Sequence, residues 1–346
     1  MTASEVVTRL SPRMALPIVL VTEPEYRRGG PVFSSGEGFR CIPVPPAEDT
    51  LAAAIRERDA RHVIVGSVMY CDALYRTLPR GSVLARFGVG HESIDKVTAT
   101  QFGLLCTNTP GVLDQSVAEL TLLLILAAAR HVTTMAVQMQ QGTWAPGPGI
   151  ELQGKTIALI GTGPIGRAVG RAAMRGFGMR SIGCGRDVRG AAAIPRGEDF
   201  ERTTRDFAEA VAEADFVSLH IPGTPENQQF MDRERLSRLR PSAWLVNTAR
   251  GAVVDETALF EALSEGRLAG AALDVFAKEP YEPGDRTRDL RTLPNVILLP
   301  HVGSNTAEAN RRMAERALRN VRLGHARDYA AMDLLNPEVV SLLGTR

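Results

Sequence analysis

Short apolar runs recur along the first third of the chain, at residues 18–21, 62–66, 83–89 and 104–107, with helix-like stretches between them. Runs of this length bounded by turn formers read as buried strands, and their alternation with helices reads as a βα pattern. Before them, residues 1–14 are polar and unpatterned. Asn108-Thr109-Pro110-Gly111 punctuates the series, and a helical segment follows over 114–140, apolar at Val117, Leu120, Leu123, Leu124, Leu126 and Ala127. From Lys155 the alternation sharpens, with strands expected at 156–160, 180–184, 216–219, 243–246, 271–275 and 296–299. Most of their connections are long enough for a crossover, so these six strands should form a parallel, doubly wound sheet. An amphipathic helix over 306–323 closes the pattern with no further strand, and should pack on the first domain.

The fold class is therefore α/β with two domains. Residues 1–109 with 304–346 are expected to form a smaller, flavodoxin-like α/β domain, and residues 110–303 the larger one. Two crossings, near Thr109 and Gly303, are the expected hinges for closure over a ligand. A length of 346 residues agrees, being long for a single core.

Charge excludes some partners. Forty basic residues against 39 acidic ones leave a formal charge of +1, with no basic block to grip a nucleic acid or an anionic membrane. The apolar stretch 120–129 has about half the length needed to cross a bilayer. The run 15–21 lacks the small-residue cleavage site of an export signal. Cys41, Cys71, Cys106 and Cys184 are far apart and form no CxxC pair, so reduced buried thiols at strands or their edges, in a cytoplasmic protein, are expected. No His, Cys or Asp cluster has metal-ligand spacing, and no metal is expected.

Gly161-Thr162-Gly163-Pro164-Ile165-Gly166 follows a strand and opens a helix, the context a GxGxxG fingerprint requires. Its glycines permit a tight turn, close approach to a pyrophosphate and close helix-on-strand packing, while the helix N-terminus offers free N–H groups. The larger domain is thus Rossmann-type and cofactor-binding. The next strand should end in an acid if the ribose carries a free 2′-hydroxyl. It ends instead in Cys184-Gly185-Arg186, with Arg189 close behind. Glycine leaves room for a 2′-phosphate and a guanidinium pairs with it, so NADP(H) is preferred over NAD(H). Asp187 turning inward, with both arginines merely solvated, is the alternative.

In an open parallel sheet, ligands bind beyond the carboxyl ends of the strands. Three charged residues fall there: Arg250, Glu279 and His301. Arg250 can clamp a carboxylate and polarise a carbonyl, His301 can pass a proton, and Glu279 can orient the imidazole and favour its charged form. Together they suit hydride exchange with a small 2-keto or 2-hydroxy acid. His220, ending the third strand of this domain, is expected to line the cofactor site without moving a proton. His91 is a weaker substrate candidate, while His62, His131 and His325 read as structural or exposed.

The chain resembles the D-2-hydroxyacid dehydrogenase family over residues 40–320. The resemblance is carried by Gly88-Val89-Gly90 with Ile94-Asp95, residues 108–111, Val117-Ala118-Glu119, and the segments 152–166, 218–222, 245–251, 273–280 and 300–304. It implies that Arg250, Glu279 and His301 are the catalytic set, and that Asp274 holds the nicotinamide carboxamide. It further implies that His220, Ile221, Thr248, Ala249 and Gly303 line the cofactor. Backbone groups of Val89 and Gly90 would take the substrate carboxylate, with Ser67 at the rim, and a homodimer would form around the helix after Gly111. Gly185, where many members carry an acid, looks like the NADP-using hydroxypyruvate reductases, making glyoxylate and hydroxypyruvate the leading substrates. A non-catalytic dinucleotide sensor of the same fold is the main rival. An L-lactate or malate type enzyme would normally begin with the fingerprint strand, which here lies mid-chain.

Overall fold

The computed structural model describes residues 16–185 and 197–344. It divides into two compact units: one runs to Pro110 and resumes at Asn310, and the other spans Gly111–Ala309. The second boundary falls inside the helix Ala307–His325.

The first unit holds β1 (Ile18–Thr22), β2 (Arg40–Val44), β3 (His62–Val65), β4 (Val83–Arg86) and β5 (Leu105–Thr107). They form one parallel sheet in the order β2-β1-β3-β4-β5, which is the flavodoxin-like order. Central β3 is buried at every position, His62 included, as a parallel strand covered on both faces must be. β2 was not anticipated: it is an edge strand, carries Pro43, and buries only Val44. The helix Ala307–His325 contributes Ala314, Ala317 and Leu318 to the core of this unit.

The second unit holds β6 (Thr156–Ile160), β7 (Arg180–Cys184), β8 (Arg202–Thr204), β9 (Phe216–Leu219), β10 (Trp244–Asn247), β11 (Gly270–Leu273) and β12 (Val296–Leu298). The sheet is parallel throughout, ordered β12-β11-β10-β9-β6-β7-β8. Seven strands replace the expected six because β8 is a polar edge strand, Arg-Thr-Thr, with no apolar run to reveal it. Alternate side chains feed two cores. Ala158, Ile160, Val217, Leu219 and Leu245 pack on one face, and Ile157, Leu159, Phe216, Val246 and Ala272 on the other. Strand order reverses between β6 and β9, the switch point at which this topology opens a crevice.

The long helix expected over 114–140 is two helices, Asp114–Ala129 and Val132–Gln140, bent by 67°. His131 between them takes a left-handed φ of 51°. The first helix lies on the second core through Leu124, Ile125 and Ala128; none of the second helix's residues is buried. Among the described residues no single helix is long and apolar enough to cross a membrane, and no group of three or more His, Cys, Asp or Glu could hold a metal ion. All four cysteines are free; Cys106 and Cys184 are buried, whereas Cys71 is exposed in a loop, contrary to the expectation of a buried thiol.

Candidate active site

The fingerprint turn follows β6. Gly161 has φ 113°, and a Cβ there would lie 2.4 Å from the His220 carbonyl oxygen; one at Gly166 would lie 2.1 Å from the Gly161 carbonyl oxygen. Only glycine admits this approach of turn, helix and β9. Gly163 is the N-cap of the helix Pro164–Phe177, with Pro164 in its first turn and no side chain capping it. A Cβ at Gly163 would meet nothing within 4 Å. An uncapped helix N-terminus beside open space suits a pyrophosphate, so the residues present fit a dinucleotide. Ile165 lies in the same first turn, partly buried.

Gly185, just past β7, is buried, its N–H donating to the Thr204 carbonyl at 3.2 Å. Arg186 and Arg189 lie outside the described residues, as does Asp187. His220 stands at the end of β9, across the switch point from the fingerprint turn. Its N–H donates to the Ile160 carbonyl at 2.7 Å, and its Nε2 lies 2.9 Å from Ser218 Oγ. Burial pushes its pKa down to about 4, which keeps the imidazole neutral near pH 7. Ile221 follows it, partly buried.

Past β10, one neutral amide organises the loop. Asn247 Oδ1 accepts from Ala249 N–H at 3.0 Å, and its Nδ2 donates to the Arg250 carbonyl at 2.9 Å. Thr248 is buried with its hydroxyl 2.8 Å from that of Thr121. Arg250 Nη1 donates to the Ala249 carbonyl at 2.6 Å. A Cβ at Gly251 would lie 1.8 Å from the Phe276 carbonyl carbon, so the loops after β10 and β11 are in backbone contact. Sequence reasoning gave Asn247 no role of its own, although it lies in the segment 245–251 that carries part of the resemblance.

The loop after β11 carries Glu279, whose Oε1 accepts from Phe276 N–H at 3.0 Å. Its Oε2 lies 2.6 Å from His301 Nδ1. Burial pushes the Glu279 carboxyl up, but the His301 hydrogen bond, the Phe276 N–H and the charges of His301 and Arg250 outweigh it and hold the carboxyl below its usual range. His301 follows β12 and takes a left-handed φ of 54°, unusual for a residue other than glycine. That turn is held by Asp274, whose Oδ1 and Oδ2 accept from Val302 and Gly303 N–H, both at 2.8 Å. Asp274 is buried, and burial raises its pKa against the pull of these two N–H groups. With Nδ1 on Glu279, His301 keeps Nε2 without a hydrogen-bond partner among the described residues. Arg250, Glu279 and His301 are thus linked: Asp274, Glu279 and the Gly251 contact fix three adjacent loops together.

In the first unit, Ser67 is exposed beyond the carboxyl end of β3, and Val89 and Gly90 lie partly buried beyond that of β4. Asn108 Nδ2 donates to the Val89 carbonyl at 2.7 Å, and Thr109 N–H to the Gly88 carbonyl at 3.1 Å. The N–H groups of Val89 and Gly90 have no acceptor among the described residues. Asn108 too, read as part of a turn and of the resemblance segment 108–111, was given no role of its own. His62, expected to be structural, is buried and lies 3.3 Å from the exposed His325.

Residues 122–303 match the family model described as D-isomer specific 2-hydroxyacid dehydrogenase, NAD binding domain, which falls within the seven-stranded unit. Glyoxylate reductase of Thermococcus litoralis is 36% identical over 308 residues, 86% of this chain and 90% of that protein. Glyoxylate reductase of Pyrococcus furiosus is 40% identical over 278 residues, 78% of this chain and 80% of its own. Among solved structures, the NADPH-dependent glyoxylate/hydroxypyruvate reductase of Sinorhizobium meliloti, in complex with NADP and malonate, superposes with a TM-score of 0.76 at 28% identity, covering 93% of this chain and 98% of that one. On these matches the chain belongs to the D-isomer specific 2-hydroxyacid dehydrogenase family.

Proposed function

We propose that the protein reduces a small 2-keto acid, glyoxylate or hydroxypyruvate, to the D-2-hydroxy acid with NADPH as the preferred donor. The observation that carries this reading is the 2.6 Å contact between His301 Nδ1 and Glu279 Oε2 on a turn held by Asp274. When bound, the nicotinamide dinucleotide supplies the hydride for the carbonyl carbon. Gly161, Gly163, Pro164, Ile165 and Gly166 would receive its pyrophosphate, and His220, Ile221, Thr248, Ala249, Asp274 and Gly303 would line its remaining length.

His301 Nε2–H gives its proton to the carbonyl oxygen as that atom gains charge, while Glu279 stabilises the imidazolium and fixes its orientation. Arg250 pairs with the substrate carboxylate and draws electron density from the carbonyl. The unengaged N–H groups of Val89 and Gly90 would donate to a substrate carboxylate, with Ser67 at the rim. Oxidation reverses the proton, His301 acting as base.

Preference for NADPH rests on Gly185 in place of an acid and on the charges of Arg186 and Arg189. Arg186→Ala is expected to weaken NADPH by about tenfold and leave NADH unchanged, one ion pair with phosphate being of that order. Equal losses for both cofactors would remove Arg186 from this role. We also propose a homodimer: Val132, Val137 and Met139 on the helix without buried residues, with Leu123 and Trp144, are exposed apolar side chains that a second copy would cover. Four unpaired thiols fit a cytoplasmic enzyme. The functional test is loss of NADPH absorbance with glyoxylate, hydroxypyruvate and pyruvate, repeated with NADH; cofactor binding without turnover on any of them would favour a sensor instead.

A further inference from the structure

The five-stranded unit carries a concavity at the amino ends of its strands. Ser67, Val89 and Gly90 follow the carboxyl ends of β3 and β4; Arg61, His62, Arg80 and Gly81 stand at or just before the starts of the same two strands. Here a cavity of about 660 Å³ opens, completed by His325 at the end of the helix Ala307–His325, by Arg327 and Tyr329 after it, and by Val340, Leu343 and Gly344. This volume lies in the range of small-molecule sites.

Its charge is one-sided. Among the described residues, three arginines line it and no acid does. Several arginines elsewhere in the protein pair with carboxylates, as in Arg171–Asp199, Arg288–Glu261 and Arg316–Asp333. Around this cavity, among the described residues, Arg61 donates to the Arg80 carbonyl at 3.3 Å and Arg80 to the Leu342 carbonyl, and none of the three pairs with a carboxylate. Asp59 and Asp328 are near Arg61 and Arg327 in sequence, yet neither lines the cavity.

The histidine pair adds a directed donor. His62 is 2% exposed, and its Nδ1 accepts from the Val83 N–H at 3.1 Å. A neutral imidazole accepting at Nδ1 carries its proton on Nε2, which lies 3.3 Å from His325 Nδ1. His325 must therefore accept at Nδ1 and keep its own proton on Nε2, so a buried, fully satisfied residue sets the tautomer of an exposed one at the cavity wall. Guanidiniums without acid partners beside an oriented imidazole donor match the oxygens of a phosphate group.

We propose that this cavity binds a phosphate-bearing small molecule through Arg61, Arg80, Arg327 and His325 Nε2–H, at the end of the sheet opposite Val89 and Gly90. The inference does not depend on the dehydrogenase reading. Isothermal titration of the full chain with inorganic pyrophosphate tests it, alongside the Arg61→Ala/Arg327→Ala double variant and Arg327→Glu alone. NADPH titration of all three proteins serves as a check on folding. Saturable binding to the parent, weakened at least about tenfold in both variants with NADPH affinity unchanged, is the expected result. No binding to the parent, or equal binding by a variant, would overturn the proposal, the latter placing pyrophosphate in the fingerprint turn.

Discussion

His220 and His301 both stand past the carboxyl ends of strands in the seven-stranded sheet, yet their surroundings fit them for opposite tasks. His220 faces a hydroxyl, Ser218 Oγ, and burial lowers its pKa to about 4. His301 faces a carboxylate that is held ionised by several donors, and it sits on a turn clamped by a second carboxylate, Asp274. A hydroxyl in a buried setting favours the neutral ring, whereas a carboxylate favours the charged one. Position at a strand end therefore selects residues that can touch ligand; the partner decides which of them can move a proton.

Breaking the contrast at its stronger side should cost most. His301→Ala is expected to lower kcat by about 10²–10⁴, the usual worth of a positioned acid–base group, with NADPH affinity unchanged by equilibrium titration. Glu279→Gln keeps the shape and removes the charge. Although burial raises the Glu279 carboxyl, its bond to His301 and its other partners bring it below the usual range, so the group beside His301 Nδ1 is an ionised carboxylate. Without that charge the ring loses its anionic partner at Nδ1, and kcat should fall about 10–100-fold with NADPH affinity unchanged. A kcat within about twofold of the parent would show that Glu279 acts by packing alone. Gly251→Ala would drive a methyl into the Phe276 carbonyl carbon. A stability loss of about 1–3 kcal/mol should appear in urea unfolding, with reduced kcat because the loop carrying Glu279 is displaced.

The weaker side sharpens the comparison through pH. The His220 pKa is lowered on folding, from about 6.5 to about 4. The unfolded chain therefore binds the extra proton first, and stability is full above pH 6.5 and lost as pH falls towards 4. By pH 5 this amounts to about 1–2 kcal/mol. His220→Gln should remove that slope while changing kcat by less than about tenfold; a larger fall in kcat with a shifted rate profile would make His220 the proton carrier.

Legibility followed burial. Central strands such as β3, β6 and β10 announce themselves by unbroken apolar runs, because parallel strands are covered on both faces. The strands that were missed, β2 and β8, are both sheet edges, where Arg40 and Pro43 or Arg202, Thr203 and Thr204 are tolerated. The break at Arg130-His131 carries neither glycine nor proline, so periodicity ran through it. At the site, charged residues after strands were visible as chemistry. Asn108 and Asn247 were not, since a neutral amide that fixes a loop is defined by bonds across space and leaves no spacing in the sequence.

The most direct test is NADPH oxidation with glyoxylate measured across pH for the parent and His301→Gln, with NADPH binding titrated for each. The account predicts turnover by the parent and a loss of at least about 100-fold in the variant at every pH, with cofactor affinity preserved. Parent-like turnover by His301→Gln would contradict it.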